Sequence, residues 1–135
     1  MKRSQAFALT IVLVMFCAAV PAPAHHSFTN FWHMDRTVEI TGVVKALKLV
    51  NPHSEITIDV PDGPQKGVWY ITSRATGSAL RNGGWTPETL TVGQIVKVEG
   101  NPSRKEGAKA LAAGKITLAD GKVLSFGGDA AIPQG

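Results

Sequence analysis

Residues 38–50 are rich in β-branched side chains, yet their apolar positions change phase part-way. Val38, Ile40, Val44 and Ala46 share one parity, whereas Leu47 and Leu49 take the other. A strand has a side-chain period of two, so it accommodates such a change only by bending or bulging, and Gly42 offers a place for the bend. A long, bent first strand suits a small barrel, in which one strand serves both halves of the sheet.

The rest of the chain supplies partners of the same kind. Asn51-Pro52-His53 breaks the run, after which Ile56, Ile58 and Val60 alternate with Thr57 and Asp59 as a half-buried second strand. Pro61-Asp62-Gly63-Pro64 is a turn cluster, and residues 68–72, with Trp69 and Tyr70, form a third strand. Residues 75–81 predict one or two helical turns with Ala79 and Leu80 facing the core, ended by Gly83-Gly84. Residues 90–99 give a fourth strand through Ile95, Val96 and Val98, preceded by the Val92-Gly93 turn. Residues 116–118 and 123–126 flank Ala119-Asp120-Gly121-Lys122, whose Asp-Gly pair signals a two-residue hairpin. Three strands, a short helix, then two or three more strands is the order of an OB-type barrel. The expected fold is therefore all-β with minor α: a small OB-like barrel of five to six strands with one short helix. An open β-sandwich is the competing arrangement.

Upstream of this pattern lies an export signal. Lys2 and Arg3 supply the charged region, residues 6–20 the apolar stretch, and Ala22-Pro23-Ala24 the small-x-small cleavage site. Cutting after Val20 or Ala22 would place a proline directly past the cut, so cleavage is expected after Ala24. Pro21 and Pro23 interrupt the apolar stretch before it reaches the roughly 18 residues of a membrane span. The expected organisation is 1–24 signal peptide, 25–37 extended N-terminal arm, 38–126 OB-like β domain and 127–135 flexible tail. It places the mature protein in the periplasm with no stable membrane anchor. Cys17 is the one cysteine, and Phe16 before it is too bulky for a lipid-attachment motif. The mature chain thus has no disulfide, and packing must hold it together.

Charge and motifs exclude several function classes. Without Lys2 and Arg3, the 14 basic residues fall to 12 against 10 acidic ones, a scattered excess unlike the clustered face of a nucleic-acid binder. No Gly-x-Ser-x-Gly elbow, P-loop or dinucleotide fingerprint is present, and Ser27, Ser54 and Ser73 alone do not specify hydrolysis. A non-enzymatic binding protein is expected.

The residues with most chemistry are the histidines. With His25 as first residue, its free α-amino group and ring nitrogen chelate one ion, and a further imidazole from His26 or His53 completes an N-ligand set that suits Cu(II). Pro52 stiffens the loop that carries His53. Against this stands a plain reading, in which His25 and His26 are polar residues near a chain end and His53 hydrogen-bonds within its turn. Trp32-His33-Met34 invites a Cu(I) reading, but consecutive residues rarely converge on one ion; Trp32 packing on the barrel is the simpler account. The alternative function is a metal-free module in which Trp69, Tyr70 and Trp85 form an aromatic face for a peptide or glycan, although such residues are more often core.

The whole set of markers resembles an exported family of unknown function common in Gram-negative bacteria. They are the mature start His25-His26-Ser27-Phe28, Gly42-Val43-Val44, the Asn51-Pro52-His53-Ser54 loop, Trp69, Leu80 with Gly84-Trp85, Leu90 with Gly93 and Val96, Gly100 with Pro102, and Leu118-Ala119-Asp120-Gly121. The resemblance implies a periplasmic OB-like β domain and brings no established activity. Two positions depart from it: Thr72 and Gln94 stand where such chains often carry acidic residues.

Overall fold

The computed structural model describes residues 28–127. The expected signal peptide, His25 and His26, and the expected tail beyond Gly127 lie outside the described residues. Six strands form one sheet: β1 (Val38–Lys48), β2 (Glu55–Val60), β3 (Gly67–Ser73), β4 (Ile95–Pro102), β5 (Ala110–Leu118) and β6 (Val123–Ser125). The sheet order is β3-β2-β1-β4-β5-β6, and a parallel pairing of β3 with β5, from Tyr70↔Ala110 to Ser73↔Ala113, closes the first five into a barrel. This is the expected OB-like architecture, with β6 added beside the second half of β5.

The phase change in β1 has its physical cause in a bulge. The register with β2 slips between Val44↔Ile58 and Ala46↔Thr57, leaving Lys45 as the extra residue. Ile40 and Val44 therefore point inward before it, and Leu49 after it. Gly42 is not the bend. It is a site of close approach, where an added Cβ would lie 2.6 Å from Asp59 O and from Ile58 Cγ2.

Val44, Ile56, Ile58, Ile71, Val98, Leu111 and Ile116 are fully buried in the core, which Leu80, Trp85 and Leu90 of the β3–β4 connection join. In that connection α2 (Gly77–Asn82) starts at the cap Thr76, whose hydroxyl accepts from Ala79 N at 3.1 Å. Ala79 itself faces solvent, contrary to expectation, because a helix this short turns only Gly77 and Leu80 to the core. Strand β4 begins only at Ile95, after Gly93 takes a positive φ in the preceding turn. Strand β5 begins at Ala110, earlier than its β-branched residues indicate. It is enclosed between β3 and β4, so small residues are needed: a Cβ on Gly100 would stand 2.6 Å from Ala112 O.

The segment before β1 differs from an extended arm. Phe28–Phe31 form one helical turn, α1, and Trp32 makes a β-bridge with Ser103. His33 N donates to Pro102 O at 2.9 Å, and Arg104 N to Phe31 O at 2.9 Å. Buried Asn101 donates from Nδ2 to His33 O at 3.1 Å and to Arg36 O at 2.6 Å. Asn101→Ala removes both tethers; at 0.5–1.5 kcal/mol per hydrogen bond the expected loss is about 1–3 kcal/mol. Urea unfolding measures that loss, and limited proteolysis should show faster cleavage within residues 28–37. An unchanged midpoint with unchanged cleavage would mean that the arm docks without Asn101.

Candidate functional site

The loop between β1 and β2 carries His53 and is fixed from three directions. Arg81 of α2 donates to Leu49 O. Asn51 Oδ1 accepts from Ser78 N at 3.0 Å, so the loop is pinned to the first turn of α2. Beneath it two fully buried serines close a clasp: Ser54 N donates to Ser73 Oγ at 2.8 Å, Ser73 N to Ser54 O at 2.9 Å, and Ser54 Oγ bonds both N and O of Val50 at 3.2 Å. The Asn51–Pro52 peptide is cis.

Held in this way, the His53 ring is half-buried and its Nδ1 is inaccessible, with no hydrogen-bond partner. Buried polar atoms are nearly always paired, so an orphan imidazole nitrogen calls for a ligand or an ordered water. The edge-to-face neighbour of this ring is Phe28, with centroids 5.2 Å apart and planes at 85°. The arm and the loop thus meet. Phe28, Phe31, Trp32, Pro52, His53, Thr72 and Ser103 line a cleft of about 340 Å³.

The cleft lies between the β1–β2 loop, the end of β3 and the start of the β4–β5 connection. OB barrels bind ligands with their β2–β3 face and these two loops. Here α1 forms one wall of that place, and Phe31 remains 59% exposed at its rim. Reading residues 25–37 as an extended arm misses Phe28, Phe31 and Trp32 as a unit; their i, i+3, i+4 spacing, one helical turn, is the signal that could have found them.

Other candidate residues are dispersed. Trp69 and Trp85 are buried, their indole N–H groups donating to Gln65 O at 2.7 Å and Ser125 O at 2.9 Å, whereas Tyr70 points outward and is 52% exposed. They do not form one aromatic face, because Tyr70 follows Trp69 in the strand and alternation sends the two to opposite sides. Trp32 faces the His53 cleft, His33 Nδ1 stands 3.7 Å from Asp35 Oδ1, and Met34 lines a separate cleft, so the triplet does not converge. Gln94 Oε1 accepts from Thr91 N at 3.1 Å in the β3–β4 connection, away from the cleft. Among the described residues no group of three His, Cys, Asp or Glu side chains could hold a metal.

Residues 12–112 match a family of unknown function, DUF6152. The chain belongs to that family. The matched range covers the arm, the His53 loop and the first three residues of β5, so it spans every wall of the cleft in this DUF6152 domain. A search of curated proteins gave no match.

Proposed function

We propose that this chain is a non-catalytic periplasmic metal-binding protein. It takes copper, or a divalent ion of similar preference, at the mouth of the His53 cleft through the α-amino group and ring of His25, with His26 and His53. The observation that carries this reading is the His53 ring, whose Nδ1 has no hydrogen-bond partner and which meets Phe28 edge to face. His25 stands three residues before Phe28, at most roughly 11 Å of extended chain, so the amine, two imidazoles and the loop imidazole lie within reach of one ion. Nitrogen donors of this kind favour Cu(II). The metal-free alternative, a peptide- or glycan-binding module, would rest on the Phe28, Phe31 and Trp32 wall rather than on Trp69 and Trp85.

Calorimetry on protein beginning at His25 tests the proposal. Cu(II) should bind more tightly than Zn(II). A methionine placed before His25 should weaken binding at least about tenfold, since it separates the free amine from the His25 ring, and His53→Ala should weaken it by a similar factor. Imidazole and amine must lose their protons to coordinate, so affinity should fall as pH is lowered. Equal affinity for the native and extended N-termini would eliminate the terminal chelate and leave the metal-free module as the better account.

A further inference from the structure

A second cleft, of about 330 Å³, opens where β5 carries an extra residue opposite β4. The register runs Glu99↔Lys115 and then Gly100↔Ala113, so Gly114 is a bulge that parts the two strands. Arg74, the first residue after β3, lines this cleft with Lys115, Glu99, Asn101, Thr37 and Met34. Its backbone N–H donates to Phe126 O at 3.2 Å, but its side-chain Nε is inaccessible and without a partner, and among the described residues Arg74 makes no ion pair.

A guanidinium stays charged at any physiological pH, and a buried charged donor left unpaired costs more than a neutral one. The neighbouring groups do not meet this need. Glu99 Oε2 lies 2.8 Å from Lys115 Nζ, which commits that carboxylate to the lysine; its hydrogen bond and charge hold the Lys115 ammonium above its ordinary range. Asn101 Nδ2 is committed to the arm carbonyls of His33 and Arg36. Arg74 and Lys115 against Glu99 leave a surplus of one positive charge in a cleft that Gly100 and Gly114 help to line.

We propose that the Arg74 cleft is an oxyanion site that takes a single carboxylate. A carboxylate matches the surplus charge, and its two oxygens fit the planar donor fork of the guanidinium. Two sources supply this chemistry. One is a free small carboxylate. The other is the chain itself: Gly127 abuts this residue, since a Cβ built on it would lie 2.8 Å from Arg74 C, and Asp129 follows two residues later. The proposal is independent of the metal reading, because it uses none of the histidines.

The Arg74 Nε–H resonance in nitrogen-edited NMR, on protein extending through Gly135, tests it directly and without unfolding the chain. If Asp129 is the partner, the resonance is displaced from free guanidinium and slow to exchange without additive, and Asp129→Asn returns it to the free position. If the source is external, sodium acetate shifts the resonance saturably where sodium chloride at equal ionic strength does not. Arg74→Gln then weakens acetate binding about ten- to a hundredfold, the loss of charge-assisted hydrogen bonding. A resonance at the free position in the unmodified protein, unmoved by acetate and by Asp129→Asn, means a water-filled cleft and overturns the proposal.

Discussion

Phe126→Ala is expected to lower stability by about 3–5 kcal/mol, the range for truncating a large buried aromatic. Phe126 is fully buried, and its ring centroid lies 5.0 Å from that of Trp85, whose own indole N–H is held by Ser125 O. The pair joins the β3–β4 connection to the segment after β6, so the cavity would fall between two parts of the chain with no other ladder between them. At about 4–8 °C per kcal/mol for a domain of this size, the melting temperature should drop by more than about ten degrees. Calorimetric melting measures the drop, and Trp85 emission should shift to longer wavelength as water enters. A loss under about 1 kcal/mol would show that the residues after β6 are not part of the core.

Gly77→Ala should also destabilise the fold, and it is the change most informative about the His53 loop. At the first turn of α2, alanine gains up to about 1 kcal/mol of helix propensity over glycine. Here that gain is outweighed. The new methyl would collide with Val50 O and lie 2.7 Å from Val50 C and 3.0 Å from Val50 N, all backbone atoms that cannot rotate aside. Forced overpacking costs about 1–3 kcal/mol, and relief requires moving Val50, the residue before Asn51-Pro52-His53. Urea unfolding should show a net loss, with the largest amide shifts at residues 50–54 and 28. A stabilised variant with an unperturbed loop would mean that the helix moves instead.

Much of the barrel could be read from residue order because its signals are local. Alternation in Ile56, Ile58 and Val60, the Asp120-Gly121 turn and the glycines after α2 each act over a few residues, and each element stands where those signals put it. The phase break in β1 revealed a bulge but not its position. Gly42 is the more permissive residue, yet it is occupied by the approach of Asp59, and the extra residue falls at Lys45. The first half of β5 was invisible for a tertiary reason: Ala110, Ala112 and Ala113 have little strand preference and are small because neighbours press on both sides.

The candidate site was legible only in part. His53 stood out as a histidine in a proline-stiffened loop, but its meeting with Phe28 depends on tethers between residues 28–36 and 101–104 that no local pattern encodes. The serine clasp was equally hidden. Ser54 and Ser73 are unremarkable as letters; burial and mutual hydrogen bonding give them their part in fixing the loop. Arg74 likewise reads as an ordinary surface cation until the Gly114 bulge and the missing Nε partner are seen together.

The parallel pairing of β3 with β5 also governs how the chain reaches its native state. Tyr70 must find Ala110 across thirty-nine intervening positions before the barrel exists at all, and such non-local contacts place folding in the slower, millisecond-to-second regime rather than the microsecond regime of local structure. No N-terminal portion ending before β5 can close on itself. Because Trp32 bridges to Ser103, and His33 and Arg36 are held by Pro102 and Asn101, the arm lacks its hydrogen-bonded anchors until β4 and the residues after it are in place. The cleft over His53 is therefore assembled only once nearly the whole chain is available, and an incomplete or still-unfolded chain presents loose histidines rather than a site.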